Sequence, residues 1–425
     1  MNQPYKQRQN FFAFGMDYIS FASAMAFLNL NTILPTFVSR MGASTALVGF
    51  FSTALMVAWT LPQAPAGNIA ARREKKKSLL MKAVFLGRPV TLVIPAVLLI
   101  THAEPPWLIL ATILVGFTFF FASDAFASVP WLDLLGRVFP AERRGWVISM
   151  WQVGKAVSVL GISVLVGYLL GASGPAFPTN YAWIFGGVAF CLGVSTIAIF
   201  FIFEPPVPAD EPATTHIPWR EFGRHLQSIW KQDSRFRLLA VARITFTLSA
   251  MSFPFYVLYA TNKLNIPDAT IGIFIFAQTV GASLASLILG RMADQHGAQR
   301  VIVIGTIIAT TAPLLALGFA LGGLGLLWLY VWIYVCIGLA DNLIMLGYFN
   351  YMFDIIPAGQ RTIYMGAFNA LGAIGVLGPT IAGWLVGLTS YAVLFAISLG
   401  FGVLTLGLAV RLPRVRGIAK PAAAD

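Results

Sequence analysis

Residues 107–132 read WLILATILVGFTFFFASDAFASVPWL, an almost wholly apolar run that contains one carboxylate, Asp124. A helix needs about 20 apolar residues to cross a bilayer, so the run is long enough to do so. An acidic side chain at mid-bilayer costs roughly 2.5 to 3.5 kcal/mol on insertion scales, and it usually faces water or a partner instead of lipid. We therefore expect Asp124 to belong to a functional site inside the membrane.

The same arrangement recurs 217 positions later in the chain. The matching pairs at this offset are Asp124 and Asp341, Pro140 and Pro357, and Arg144 and Arg361. Earlier glycines repeat at an offset of 223, as Gly49 with Gly272 and Gly67 with Gly290. Parallel six-helix repeats of this kind are typical of transporters, whose substrate site lies near the membrane midplane.

Composition indicates a polytopic membrane protein, since 58% of the 425 residues are hydrophobic and only 10% are charged. The net charge of +12 comes from basic residues that flank apolar runs. That placement favours contact with anionic membrane lipids and argues against nucleic acid as a partner. Cys191 and Cys336 both lie within apolar runs, so we expect no disulfide, no metal cluster and no cofactor.

Twelve apolar runs predict twelve transmembrane helices, numbered 1 to 12 in chain order. They lie near residues 11–38, 44–66, 78–101, 106–135, 144–171, 181–204, 236–261, 268–290, 299–321, 325–353, 361–387 and 390–411. One set of alternate connections, together with the tails, carries 23 of the 28 Lys and Arg residues. Because basic residues accumulate in cytoplasmic loops, we expect both termini to be cytoplasmic and the protein to lie in the plasma (inner) membrane.

The predicted organisation has four parts. Residues 1–204 form a six-helix bundle, residues 205–235 a cytoplasmic linker, residues 236–411 a second six-helix bundle and residues 412–425 a tail. Within the linker, apolar side chains recur at helical spacing among basic ones, as Trp219, Phe222, Leu226 and Ile229. This pattern predicts an amphipathic helix on the cytoplasmic membrane surface, although a plain connector is the alternative.

The loop between predicted helices 8 and 9, from Gly290 to Arg300, reads GRMADQHGAQR. It resembles the loop signature of the major facilitator superfamily, G-x-x-x-D-R-x-G-R-R, with Gln295 in place of the usual arginine. The first copy, which begins at Gly67, has Ala71 where the signature has its acid. The resemblance implies an all-α membrane protein with two pseudo-symmetric six-helix bundles. It also implies alternating access to a cavity lined by helices 1, 4, 7 and 10.

Each of these four helices contributes one ionisable residue to the predicted substrate or proton pathway. Its members are Asp17, Asp124, Arg243 and Asp341, with Arg88, Lys155 and Asn342 added from within helices 3, 5 and 10. Arg88 and Lys155 lie at the depth of Asp124, so we expect an ion pair there. Arg243 lies nearer the surface than Asp341, and we expect their contact to depend on conformation. The hypothesis is that Asp341 carries the driving proton and Asp124 is an ion-paired or substrate-orienting group.

A second set of charged residues lies where the helices meet the predicted cytoplasmic loops. We expect it to form the inner gate, and its members are Asp294, Arg300, Arg72, Arg73, Asp133, Arg144, Asp354 and Arg361. The motivation is that Arg144 and Arg361 repeat at one offset just beyond a proline.

The sequence therefore predicts a secondary active transporter for a small organic solute, coupled to protons and acting as a monomer. A proton-independent exchanger or a lipid or lysolipid flippase of the same fold remains the alternative. Membrane enzymes need a cluster of His, Cys or Ser near carboxylates, whereas all four histidines lie in predicted loops, so we expect no enzymatic activity. Helix 5 lacks the G-P-x-x-G-G-like element of proton-coupled drug exporters, and no particular substrate follows from the sequence.

Overall fold

The computed structural model describes residues 4–71, 73, 75–206, 219–322, 325–356 and 361–414. In this part of the chain, twelve helices are long and apolar enough to cross a membrane, which confirms the predicted number. No strand occurs among the described residues, and the predicted all-α class is confirmed as well.

The twelve spans keep the numbers given above, and several consist of more than one helical segment. In the first half they are helix 1 (Pro4–Leu28 and Ile33–Arg40), helix 2 (Thr45–Thr60 and Gln63–Ala71), helix 3 (Lys76–Gly87, Arg88–Leu92 and Val93–Thr101), helix 4 (Pro106–Val138), helix 5 (Ala141–Leu169) and helix 6 (Thr179–Phe200). In the second half they are helix 7 (Ser234–Ser249, Ala250–Ser252 and Phe253–Asn262), helix 8 (Thr270–His296), helix 9 (Ala298–Ala320), helix 10 (Leu327–Leu343, Ile344–Phe349 and Asn350–Ile355), helix 11 (Arg361–Gly372, Ala373–Leu377 and Gly378–Leu388) and helix 12 (Tyr391–Arg411).

Four spans change helix type in their middle. Helices 3, 7 and 11 contain short 3₁₀ segments, and a proline lies at or just after each of them: Pro89, Pro254 and Pro379. Proline lacks an N–H and clashes with the preceding turn, so it weakens the α-helical ladder at these places. The middle segment of helix 10, Ile344–Phe349, is instead a π-helix and contains no proline.

The two halves repeat the same pattern of neighbours. Helix 1 packs against helices 5 and 6, and helix 3 packs against helices 4 and 6. In the second half, helix 7 packs against helices 11 and 12, and helix 9 packs against helices 10 and 12. Helices at equivalent positions therefore have equivalent neighbours, which is the structural counterpart of the repeat seen in the sequence.

Counting described residues only, the contacts divide the chain into two compact units. The first unit comprises residues 1–44, 50–216 and 260–276, and the second comprises residues 45–49, 217–259 and 277–425. Each unit thus takes a short segment from the other half of the sequence. The start of helix 2 packs against helix 11 in the second unit, where Thr45 Oγ1 donates to the Gly383 carbonyl at 2.9 Å. In the first unit, the Arg40 guanidinium lies 2.8 Å from the Asp268 carboxylate.

The linker contains a helix from Trp219 to Gln232, called the linker helix below. Ile229 is buried in the core of the second unit, and Leu226 and Trp230 pack against the same core. At least this part of the predicted amphipathic face therefore covers protein. Immediately after the linker helix, Asp233 caps helix 7 by accepting from the Phe236 amide at 2.9 Å.

Candidate functional site

Three charged side chains meet inside the first unit. The Arg88 guanidinium of helix 3 lies between two carboxylates, with Nη2 3.0 Å from Asp124 Oδ1 and Nη1 3.7 Å from Asp17 Oδ1. All three residues are at least nine-tenths buried. We call this set the ion cluster. The expected pairing of Arg88 with Asp124 is present, and Asp17 joins it.

A 3₁₀ segment and a glycine in helix 3 allow helices 3 and 4 to approach each other beside the ion cluster. Arg88 opens the 3₁₀ segment that Pro89 introduces, and Thr91 Oγ1 donates to the Arg88 carbonyl at 2.7 Å, occupying that acceptor. A Cβ atom at Gly87 would overlap with the Ser123 side chain, one residue before Asp124. Only glycine at position 87 permits this approach, and the approach sets the distance between Arg88 and Asp124.

Two further side chains complete the hydrogen bonds of the ion cluster. Trp131 Nε1 donates to Asp17 Oδ2 at 2.6 Å. Ser195 of helix 6 donates its hydroxyl hydrogen to Asp17 Oδ1 and accepts from Arg88 Nη1 at 2.8 Å. Neither residue was predicted from the sequence. A buried ion pair is stable only if its remaining donors and acceptors are satisfied, and Ser195 and Trp131 meet that requirement here.

The ion cluster forms part of the wall of a cavity of about 230 Å³ within the first unit. Helices 1, 2, 3 and 4 supply its lining: Asp17, Tyr18, Phe21, Trp59, Leu80, Arg88, Asp124, Ala127, Ser128, Trp131 and Leu132. A concave, mostly apolar pocket with a few polar groups is the usual form of a small-molecule site. The cavity is therefore the candidate functional site of this unit.

In the second unit, Asp341 lies on helix 10 opposite helix 8. It is exposed, and its Oδ2 accepts from Gln278 Nε2 at 2.9 Å. Its neighbour Asn342 donates to the Ala282 carbonyl of helix 8 at 3.2 Å. A Cβ atom at Gly338 would overlap with the Gln278 backbone, so the two helices touch one turn before Asp341. Asn342 thus joins two helices, while Asp341 stays accessible.

Arg243 of helix 7 has a different environment from that of Arg88. Its Nη1 donates to the Phe368 carbonyl at 2.9 Å, and the guanidinium lies 4.2 Å from the Phe368 ring centroid and 5.3 Å from that of Phe349. Gly372 leaves the room that the guanidinium occupies. Among the described residues Arg243 makes no ion pair, so the considered contact with Asp341 is absent from this structure.

The predicted inner-gate residue Asp133 belongs to a charged network at one end of the first unit. Its carboxylate lies 3.2 Å from Lys76 Nζ and 3.6 Å from Arg137 Nη2. Glu204, four residues after the end of helix 6, accepts from the Lys76 amide at 2.7 Å. Lys76, Arg137 and Glu204 were not singled out from the sequence, because charges near helix ends are common and carry no specific signal.

The other predicted gate residues are more scattered. Arg144 donates to the Phe139 and Gly136 carbonyls, both at 2.7 Å, so it caps the end of helix 4. Arg73, Arg300 and Asp354 are exposed, and Lys155 on helix 5 is half-buried. Arg72 and the side chains of Asp294 and Arg361 lie outside the described residues. The signature loop needs a glycine at Gly297, where φ is 83° before helix 9 begins.

No group of three or more His, Cys, Asp or Glu side chains that could hold a metal ion occurs among the described residues. A transmembrane bundle of twelve helices, built as two repeats with charges buried between the helices, defines the class as a polytopic membrane protein with a transporter fold.

Comparison with known proteins gives a family match over part of the chain and a fold match over nearly all of it. Residues 238–424 match the family model of the Major Facilitator Superfamily. Over nearly the whole chain, the fold is similar to three solved transporters. A bacterial homologue of the human lysosomal transporter Spinster is 14% identical with a TM-score of 0.63, and the alignment covers 97% of this chain and 95% of that one.

The other two structures are similar in fold to the same extent. A bacterial homologue of the iron transporter ferroportin is 13% identical with a TM-score of 0.69, covering 97% of this chain and 99% of that chain. The nucleoside transporter NupG is 14% identical with a TM-score of 0.64, covering 94% and 98%. A search of curated proteins found no significant match.

The family model covers the second half of the chain, and the fold covers both halves. The resemblance seen in the loop after helix 8 agrees with this match, and the chain has the fold of these transporters. This fold supports the transport of a solute across a membrane by alternating access. The family and the similar structures are transporters, which points to a protein that is not an enzyme.

Proposed function

We propose that this protein is a secondary active transporter that moves a small organic solute across the inner membrane by alternating access. The observation that carries the proposal is the cavity of the first unit, whose wall contains the buried ion cluster. Charges inside a membrane bundle are costly and mark substrate or ion pathways. The similar structures are a nucleoside transporter and bacterial homologues of an iron transporter and of a lysosomal transporter, so the shared fold does not identify the solute, and the cavity is the guide to it.

Within this function, the two acids at equivalent positions have different roles. Asp124 is held by Arg88 and acts as a fixed part of the solute site. Asp341 carries the driving proton, and its contact with Gln278 supports this assignment. An amide donates to a carboxylate through its nitrogen and, after rotation, accepts from a protonated carboxyl through its oxygen. Gln278 can therefore form a hydrogen bond with either protonation state of Asp341.

A proton-coupled carrier is distinguished from a proton-independent exchanger or a lipid flippase by its response to a pH gradient. A thermal-shift screen of metabolites, drugs and lysolipids identifies a solute, since ligand binding stabilises the native state. Purified protein is then reconstituted in liposomes that contain a pH-sensitive dye. We expect addition of the solute to move protons through the wild-type protein.

The decisive comparison is Asp341→Asn with Glu104→Gln. Glu104 is exposed in the connection between helices 3 and 4 and makes no ion pair with a described residue. Glu104→Gln is therefore a matched control that also removes one carboxylate. Asp341→Asn should abolish proton movement and gradient-driven accumulation while solute exchange continues, and Glu104→Gln should behave as wild type. Gradient-driven transport that survives in Asp341→Asn would contradict the proton assignment.

A further inference from the structure

We propose that the cavity of the first unit binds a small organic cation, with the ammonium group of the ligand against Asp124 and its apolar part against the aromatic wall. The inference rests on the proposed transport function and narrows it to a substrate class. Three observations carry it: the charge of the lining, the distribution of hydrogen bonds in the ion cluster and the aromatic side chains around it.

The charged residues that line the cavity are two carboxylates and one guanidinium, which leaves one formal negative charge. Burial makes this charge energetically unfavourable, because the low dielectric of the interior does not screen it. A monovalent cation neutralises it, whereas an anion adds to it. The net charge of the lining therefore selects ligands with one positive charge.

The hydrogen bonds of the ion cluster leave one carboxylate oxygen for a ligand. Asp17 is engaged at both oxygens, by Ser195 at Oδ1 and by Trp131 at Oδ2. Asp124 receives both Arg88 Nε, at 3.1 Å, and Nη2, at 3.0 Å, on the same oxygen, Oδ1. Asp124 Oδ2 makes no hydrogen bond or ion pair with a described residue. Asp124 is only 6% exposed and lines the cavity, so this oxygen is available to an N–H donor of a bound ligand.

Aromatic side chains surround the ion cluster. Tyr18, Phe21, Trp59 and Trp131 line the cavity. Phe21 already lies under one cation, with the Arg88 guanidinium 5.9 Å from its ring centroid, and Phe21 stacks on Trp59 at 6.5 Å. The faces of such rings attract organic cations, and Trp attracts them most strongly. A carboxylate beside aromatic rings is the combination that recognises an amine.

The cavity also limits the ligand in size and type. Its volume of about 230 Å³ lies below the roughly 300 to 1,000 Å³ of drug-sized sites, so a compact amine fits better than a large drug. A divalent metal ion would need three or more hard ligands, and no such group occurs in the described part of the chain. The lining therefore favours an aromatic or aliphatic amine over a metal ion.

Three compounds of similar shape and different charge test the inference: phenethylamine, phenethyl alcohol and phenylacetate. Binding to the purified full-length protein is measured by isothermal titration calorimetry and by the shift of the thermal unfolding temperature. We expect phenethylamine to bind, with a dissociation constant at least about tenfold lower than that of the alcohol, the value of one charge-assisted hydrogen bond. Phenylacetate should not bind.

Two substitutions place the amine in the cavity. Asp124→Asn should weaken phenethylamine binding about tenfold to hundredfold and leave the weak binding of the alcohol unchanged. Trp59→Leu, which keeps the ion cluster intact, should weaken amine binding about threefold to thirtyfold, and it serves if Asp124→Asn does not fold. The matched controls are Glu104→Gln and Trp183→Leu, because both of those side chains are exposed.

Equal binding of the amine and the alcohol, or amine binding that both cavity variants retain, would overturn the inference. Stronger binding of Mn²⁺ or Zn²⁺ than of phenethylamine would overturn it as well. Amine binding without any transport in liposomes would leave the inference standing and contradict the proposed function. Transport of a different solute by a protein that binds no amine would contradict the inference and leave the proposed function standing.

Discussion

Asp17 lies between donors from two other helices, and its charge is stabilised only while those donors are present. Trp131 and Ser195 each satisfy one carboxylate oxygen, and Arg88 supplies the counter-charge. Removing one partner from a buried ion pair costs more than the net contribution of the pair, because the remaining charge stays desolvated. The contribution of each hydrogen bond in this cluster to the free energy of unfolding can therefore be measured by substitution.

Trp131→Phe removes the donor to Asp17 Oδ2 and keeps most of the aromatic volume. We expect a loss of about 1 to 3 kcal/mol in the free energy of unfolding, the cost of a buried acceptor left without its partner. Thermal unfolding in detergent, followed by circular dichroism, measures the change. Trp183→Phe is the control, since Trp183 is exposed on helix 6 and should tolerate the exchange. An equal effect of both substitutions would contradict the role given to Trp131.

The charged members of the cluster could be predicted from the sequence, and its neutral members could not. Asp17, Arg88 and Asp124 are conspicuous because ionisable residues are rare in apolar runs. Ser195 and Trp131 are residue types that occur throughout membrane helices, so only their position identifies them. The location of Asp17 in the cluster also depended on structure, since helical rise alone does not show how adjacent helices are shifted along each other.

At the scale of elements, helices 8 and 10 are held together by glycines on both sides. A Cβ atom at Gly338 would overlap with the Gln278 carbonyl, and one at Gly281 would overlap with the Val335 carbonyl. Small residues permit such close approach between membrane helices. The contact at Gly338 also places Gln278 beside Asp341.

Gly338→Ala should therefore push helices 8 and 10 apart. We expect a loss of about 1 to 3 kcal/mol in stability, as for overpacked cores, together with loss of the proton coupling assigned to Asp341. Gly290→Ala, also on helix 8, is the matched control, because nothing lies within 4 Å of its added Cβ and alanine favours helix formation. Thermal unfolding and the liposome assay give the two readouts. Unchanged unfolding of Gly338→Ala would count against the close contact.

Asp233, the residue between the linker helix and helix 7, also contacts helix 11. Asp233 accepts from the Phe236 amide at 2.9 Å and from the Tyr364 hydroxyl at 3.0 Å. We expect Asp233→Ala to cost about 1 to 2 kcal/mol, since it removes an N-cap, and Tyr364→Phe to cost less. A double-mutant cycle should give a coupling energy of about 0.5 kcal/mol or more between the two. Fully additive effects would show that the bond between Asp233 and Tyr364 does not couple helix 7 to helix 11.

The breaks within helices were the least predictable elements. The 3₁₀ segment at Arg88–Leu92 contains Pro89, so a change at this place follows from proline chemistry. The π-helical segment Ile344–Phe349 has no proline, and its residues are ordinary apolar ones and a glycine. The segment packs against helix 9, and nothing in its residue types distinguishes it from an α-helical turn.

At the scale of the whole molecule, the charge distribution predicts which loops face the cytoplasm. Cysteine at Lys263, exposed between helices 7 and 8, should react with an impermeant maleimide in intact cells. Cysteine at Arg143, exposed at the start of helix 5, should react only after the membrane is permeabilised. Both variants are made with Cys191 and Cys336 replaced by alanine, which removes the native thiols. The reverse labelling pattern would contradict the proposed orientation.

Helices 4 and 10 share one more property, which follows from Pro130 and the π-helical segment. Pro130 lies within helix 4, and the position 217 residues later is Gly347, inside Ile344–Phe349. Each helix thus has a weakened turn six residues beyond its acid, caused by a missing N–H in one and a widened turn in the other. We expect each helix to bend most readily at this turn. The segment after the turn can then change direction while the segment that carries the acid keeps its place among the neighbouring helices.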